Sequence, residues 1–307
     1  MIRYDVEFVI VAFHRPRELE RLLGELRTTS AVVRVINVEA DPSISLFARD
    51  GVEVVDVVEN CGYARAVNLG VAMSNADVVV FCNDDVQIDA RSVRALLEPI
   101  EAGAAHVTVP AHVSESGERL PSLLPLARPG TLAREWLLAP LLSQLVPLVR
   151  TRRPAMDVTI EAANGALVAC RRTILQQVPL SEAYFLYWEE VEWFSRLGRA
   201  GFKARYVPAA ALVRRGGAEE LSRRKSTLMA VNAVRCVRDS SGTAAGVAAW
   251  PIVVLWNLRL VLAAAGCWFG PGPRPERSFV LRARVAGLWA SVGAWRVLVE
   301  RSRTSLT

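Results

Sequence analysis

Lysine is nearly missing from this chain. Of 37 basic residues in 307, only Lys203 and Lys225 are not arginine. No lysine-rich tail, zinc-finger spacing or stacking-aromatic signature accompanies the formal net charge of +6, so nucleic acid is not an expected partner. A basic chain of this kind still suits anionic lipid or phosphorylated substrates. Cysteine is sparse too. Cys61, Cys82, Cys170, Cys236 and Cys267 are odd in number, scattered and without a CxxC pair. That argues against structural zinc and a disulfide framework, and it fits a reducing compartment. The opening MIRYDVEFVIVA is too short and too charged for a signal peptide and reads as a first strand, so the expected location is cytoplasmic. No GxGxxG follows that strand, which disfavours a nicotinamide-dependent oxidoreductase.

What the chain has is apolar bulk, 52% of its residues, in a regular rhythm. Strand signals at 6–13, 31–38, 52–58, 77–82 and 105–113 alternate with helical spacing after Pro16, at 63–74 and at 90–101. This βαβ order implies an α/β fold with a mainly parallel sheet flanked by helices, and ligands in such sheets gather beyond the carboxyl ends of the strands. Residues 121–154, with six prolines, read as a long excursion over the sheet, a mobile or membrane-facing flap. A strand leading into a short helix follows at 160–172, then a helix at 189–202, a strand at 203–208 and a basic helix at 219–238. Residues 244–269 are almost wholly apolar, long enough to span a bilayer but interrupted by Pro251, Asn257 and Arg259. With the arginine- and aromatic-bearing helix at 277–301, they read as an interfacial amphipathic pair, the alternative being helices packed on the protein's own core.

Three polar clusters stand at element ends. ENCGYARAVNLG (59–70) surrounds a helix opening, where glycines admit a close ligand and the helix amino end favours anions. Asn83, Asp84 and Asp85 end an apolar strand; hard cations such as Mg²⁺ or Mn²⁺ seek carboxylates there and share them with substrate phosphates. The plain alternative is a solvated turn with Asp89 capping the next helix. YWEEVEW (187–193) crowds Glu189, Glu190 and Glu192 at a helix start, where the dipole alone would favour them. Two carboxylate clusters on one sheet rim, one for metal and one for proton abstraction, suit group transfer from a nucleotide-diphosphate donor.

In order and spacing, VAFHRP, ENCGYARAVNLG, FCNDDV, NGALVACRR and YFLYWEEVEWFSRLGRAGFKARYVPAAALV resemble a family 2 glycosyltransferase of GT-A, Rossmann-like fold, in the bacterial rhamnosyltransferase-like subgroup. The resemblance covers roughly residues 6–240. It implies a GT-A domain over 1–240, with a nucleotide-sugar half (1–113) and an acceptor half (114–240); the apolar and basic residues over 241–307 read as a membrane-associating helical appendage. The implied activity is inverting transfer of a sugar, rhamnose among the candidates, to a lipid-linked or polysaccharide acceptor in cell-envelope glycan synthesis. The implied location is the inner face of the plasma membrane. The implied cofactor is Mg²⁺ or Mn²⁺ on Asp85, and the implied base is Glu190. Donor contacts are expected from Phe13, Asn37, Asn60, Gly62, Asn68, Asn83, Asp84 and Arg214. Acceptor contacts are expected from Gly165, Ala166, Glu189 and Glu192. Asp84 is also open to water, His14 reads as a loop residue near the nucleotide, and His106 and His112 as exposed strand positions. Three positions depart from the family: Asn37 where an Asp is usual, Glu190 in place of Asp, and Arg214 where a His is common. The second reading is a catalytically silent relative that scaffolds a membrane glycan complex.

Overall fold

The computed structural model describes residues 4–49, 51–138, 158–214, 222–266 and 274–299. The strands are β1 (Val6–Ala12), β2 (Val32–Val38), β3 (Val52–Val57), β4 (Val78–Asn83), β5 (Val86–Gln87), β6 (Val107–Val113), β7 (Leu123–Leu124), β8 (Val158–Thr159), β9 (Ala162–Ala163), β10 (Leu167–Arg171) and β11 (Ala204–Arg214). Through the first half they alternate with α1 (Pro16–Leu26), α2 (Pro42–Ser45), α3 (Tyr63–Met73) and α4 (Ala90–Glu101). The main sheet runs β3-β2-β1-β4-β10-β6-β11-β5, and β8 pairs with β11. The neighbours from β3 to β4 are parallel, as are β6 and β11, while β10 is antiparallel to both β4 and β6. The expected α/β, mainly parallel sheet is therefore present.

Alternation decides the two faces. Phe8, Ile10, Val33, Val35 and Val80 point to a core closed by Leu19, Leu22, Leu23 and Leu26 of α1 and Leu96 and Ile100 of α4. Pro16 opens α1 at a position that needs no amide donor, and the Asp89 side chain caps α4 by accepting from the Ser92 amide at 2.7 Å. On the other face a Cβ on Gly70 of α3 would come within 2.3 Å of Val9, so only glycine lets that helix lie so close to β1. The carboxyl end of α3 is held by a buried polar network. Arg34 donates to Glu7 at 2.6 Å, to Glu53 at 2.6 Å and to the Met73 carbonyl at 3.2 Å; Ser74 donates to the second Glu7 oxygen at 2.6 Å.

The later helices are α5 (Pro129–Leu132), a single π-turn segment at Ala133–Leu138, α6 (Arg172–Gln177), α7 (Glu189–Arg199), α8 (Arg223–Ser241), α9 (Thr243–Gly266), α10 (Arg274–Gly293) and α11 (Trp295–Val299). Two compact units emerge. The first is residues 1–125 with 151–216, and the second is 126–150 with 217–307. The division falls at 216/217 rather than at 240, because α8 packs with α9, α10 and α11. Residues 126–138 correct the expected excursion over the sheet. They join the helical unit, where Trp136 stacks near Trp256 at 5.7 Å; residues 139–154 lie outside the described residues.

Within the helical unit α9 is continuous through Pro251. Its polar interruptions are satisfied locally. Asn257 donates to the Val253 carbonyl at 2.9 Å, and Arg259 lies 5.7 Å from the Trp256 ring centre. α9 is the one helix among the described residues long and apolar enough, by length and composition, to cross a membrane. His112 corrects another expectation: β6 is an interior strand, so His112 is buried, while half-buried His106 accepts from the Lys203 amide at 3.0 Å.

Candidate active site

The site is built at the carboxyl ends of β1 and β4, where four elements meet. Antiparallel β10 sets Leu167 opposite Cys82, so the Asn83 amide donates to the Ala166 carbonyl at 3.0 Å. Tyr63, the first residue of α3, sends its hydroxyl to the Gly165 carbonyl at 3.1 Å. A Cβ on Gly165 would come within 3.1 Å of the Glu190 Cβ, so the base candidate lies directly against the acceptor segment. Burial first, then the charges of Cys82, Glu189, Glu190 and Asp85, hold the Tyr63 hydroxyl protonated well above its ordinary range. Tyr63 is thus tied to the Gly165–Ala166 segment, which Glu190 packs against on one side and the Asn83 amide bonds on the other.

Local backbone explains the convergence. Gly62 has φ +80°, and a Cβ there would strike the Phe185 carbonyl oxygen at 2.3 Å; the Tyr63 amide donates to that same oxygen at 3.0 Å. Tyr187 and Trp188 follow with φ of 69° and 74°, two left-handed residues in succession immediately before Glu189. The remaining left-handed non-glycine residues among those described are His14, Glu39 and Ala40. All five lie on the loops around this rim. Such conformations cost energy and cluster where a site dictates them.

Asp84 and Asp85 are both buried, which corrects the reading of Asp84 as facing water. Asp84 Oδ2 accepts from the Phe13 amide at 2.8 Å. Burial pushes its carboxyl up from the ordinary 3.8 to about 7, against the lowering effects of that amide and of Arg15. The folded chain therefore holds this proton more tightly than the unfolded one. The stabilisation is complete below pH 4 and is lost as pH rises through about 7. Asp84→Asn is expected to flatten the fall in thermal midpoint between pH 5 and pH 8 that the wild type shows; an equal fall in both proteins would refute this origin.

Asp85 departs from expectation. Its Oδ2 is 2.5 Å from an Arg15 guanidinium nitrogen, which also stands 3.8 Å from Asp84 Oδ1. Its Oδ1 is buried with no hydrogen-bond partner among the described residues. No three His, Cys, Asp or Glu side chains gather as metal ligands among the described residues. A hard cation held through one or two carboxylates and completed by substrate phosphates needs no such cluster. The orphaned Oδ1, with Asp84 adjacent, fits that donor set.

The side expected to hold the nucleotide is a polar network. His14 bridges Asp41 at 3.0 Å and Glu39 at 2.9 Å, and Asn60 donates to Glu39 at 3.0 Å. The bonds to Asp41 and then Glu39 raise the His14 pKa; Ser43 and then His14 hold Asp41 down at about 2. Phe13 exposes its ring beside His14, with centroids 4.5 Å apart.

Three expected ligands have other work. Asn37 is fully buried, its amide shared among the Asp41 carbonyl, Ser45 and Asp56, so it orders the loop after β2. Asn68 gives both its groups to the Leu180 backbone and also donates to Glu182. Glu192 is clamped by Arg196 through both carboxylate oxygens, at 2.7 and 2.9 Å. The backbone of Arg214 pairs with Val86, one residue beyond Asp85; its side chain lies outside the described residues. Glu189 is buried at the start of α7. Arg15 and Tyr63 were not foreseen. Arg15 stood in plain view within FHRP, directly after a strand whose neighbour ends on two acids, whereas Tyr63 gave no signal beyond an aromatic at a helix start.

The family model for glycosyl transferase family 2 matches residues 9–141, which spans this rim from β1 past β6. Over those residues the chain is similar to family 2 glycosyltransferases. It is 28% identical over 232 residues to N-acetylglucosaminyl-diphospho-decaprenol L-rhamnosyltransferase of Mycobacterium tuberculosis, covering 67% of this chain and 75% of that protein. Two solved structures share its fold. GalNAc-T7 with UDP, GalNAc and Mn²⁺ aligns at TM-score 0.57 and 17% identity, over 77% of this chain and 48% of that one; this transferase spans about half its length. The mannosyltransferase PcManGT from Pyrobaculum calidifontis, in complex with GDP-Man and Mn²⁺, aligns at TM-score 0.52 and 12% identity, over 94% and 88%. Both likenesses bear on the transferase's GT-A fold.

Proposed function

We propose that this transferase moves a deoxyhexose of the rhamnose type from a nucleoside-diphosphate donor to a lipid-linked acceptor in envelope glycan synthesis, inverting the anomeric carbon. The observation that supports the reading is the packing of Glu190 against Gly165, next to Ala166, whose carbonyl accepts from the Asn83 amide at the acidic turn. In this reading Phe13, Asn60, Gly62 and Asn83 border the donor, and Gly165 and Ala166 border the acceptor. Glu190 accepts the proton of the acceptor hydroxyl as that oxygen bonds to the anomeric carbon and the bond to the diphosphate breaks. A Mg²⁺ or Mn²⁺ on Asp85 would neutralise the departing diphosphate. Asn37 and Asn68 contribute by holding the loops that shape the pocket. The acceptor class is supported by the lipid-diphosphate substrate named for the mycobacterial relative. Incubation with dTDP-rhamnose and a polyprenyl-diphosphate-linked sugar is expected to yield the extended lipid. Calorimetry showing no binding of UDP, dTDP or GDP, with or without Mn²⁺, would refute the reading.

The helical unit fits attachment to the cytoplasmic surface of an anionic membrane. Val247, Pro251, Leu255, Leu258 and Leu262 form an exposed, uncharged stripe along α9, about 22 Å long at 1.5 Å per residue. Trp289 and Trp295 are exposed beside Arg282 and Arg296 on α10 and α11. Residues 217–307 hold 13 Lys and Arg against 5 Asp and Glu, so the chain's positive excess resides there. Aromatic and arginine side chains beside an apolar stripe suit the headgroup layer of an anionic bilayer. The protein is expected to float with phosphatidylglycerol vesicles, less so at 1 M salt, and Leu255→Glu with Leu258→Glu is expected to abolish flotation. Equal flotation of that double variant would rule this surface out.

A further inference from the structure

The pairing of Arg15 with Asp85 poses a problem of charge. Asp85 is buried, and a buried carboxylate left alone is costly. Arg15 resolves this with a 2.5 Å contact, yet its own side chain stays 45% exposed. The guanidinium thus reaches in from solvent rather than being locked in the core. It occupies one oxygen of Asp85 and leaves the other, Oδ1, buried with no hydrogen-bond partner among the described residues. The same guanidinium stands 3.8 Å from Asp84.

We propose that Arg15 is an exchangeable counter-ion, holding Asp85 while the site is empty and transferring to a phosphate oxygen of the donor when a divalent cation takes its place on Asp85. This rests on the reading of Asp85 as the cation's ligand. Without donor, the guanidinium faces Asp85 closely and Asp84 more distantly. With donor, the cation offsets Asp85 and part of the diphosphate, and the released guanidinium offsets the rest. Arginine suits the exchange because its planar fork pairs as well with phosphate as with carboxylate and never loses its proton. A lysine would hold Asp85 as a point charge but would not offer the two-pronged phosphate contact. Arg15 begins the turn from β1 into α1, next to Phe13 and His14 at the nucleotide rim, so the two anions it would serve border the same loop.

The exchange predicts opposite effects on two ligands. Mn²⁺ alone must displace Arg15, so Arg15→Gln is expected to bind Mn²⁺ about tenfold more tightly than wild type, read from the free Mn²⁺ electron paramagnetic resonance signal. The same variant is expected to bind dTDP in the presence of Mn²⁺ about tenfold more weakly by calorimetry. Arg15→Lys, which keeps the charge, is expected to bind Mn²⁺ like wild type and dTDP more weakly. Far-ultraviolet circular dichroism confirms that each variant is folded, and Asp85→Asn serves as the control that loses Mn²⁺. If Asp85→Asn loses Mn²⁺ but Arg15→Gln binds both ligands like wild type, the exchange is overturned while the cation site stands. If Asp85→Asn binds Mn²⁺ undiminished, the cation reading and the exchange fall together.

Discussion

Glu190→Gln is expected to lower turnover by about a thousandfold while leaving donor affinity within about twofold. General-base catalysis is typically worth 10²–10⁴-fold, and glutamine keeps the shape of the side chain but cannot accept the acceptor's proton. The packing against Gly165 survives the change, since the atoms nearest that glycine are Glu190 Cβ and Cγ, which glutamine retains. The loss should therefore fall on kcat, with the KM for donor barely moved. Glu192→Gln makes the contrast. It sits on the same helix, but its carboxylate is already committed to Arg196, so its effect should fall on stability rather than on chemistry. A thousandfold loss from Glu192→Gln with none from Glu190→Gln would reverse the two roles.

Arg34→Met is expected to destabilise the sheet unit by about 3–5 kcal/mol, the range for breaking a buried ion pair from one side. Both Arg34 and Glu7 are buried, and the variant strands Glu7 with Ser74 alone. The loss also frees the Met73 carbonyl at the end of α3, the helix whose other end supplies Tyr63 to the site. Combining Arg34→Met with Glu7→Gln should recover part of the loss, because no uncompensated charge then remains. Urea denaturation of the single and double variants measures this. Additive losses would show that the two side chains act independently.

The fold was legible because its signals are local. Apolar runs at 6–13 and 77–82 and the leucine spacing after Pro16 each specify an element without reference to the rest of the chain. The rim was legible too, since an α/β sheet gathers the loops at the carboxyl ends of its strands on one edge. Engagement of side chains was not. Asn37, Asn68 and Glu192 have the right identity at the right position for a ligand, yet each is consumed by partners 4 to 112 residues away that no pattern reveals. Arg15 shows the converse: a residue passed over between two readable neighbours became the counter-ion of the carboxylate that mattered. The helical unit was less legible: the sequence changes character only after 240, whereas α8 packs with helices farther along the chain.

The central claim is that carboxylates from the turn after β4 and from α7 face one donor pocket. A crystal structure of the protein with Mn²⁺ and dTDP, with the metal located by its anomalous scattering, tests it directly. The account predicts a manganese peak on Asp85, with the Glu190 carboxylate opening into the space beside the terminal phosphate. Manganese bound elsewhere on the chain, or Glu190 walled off from that phosphate, would contradict it.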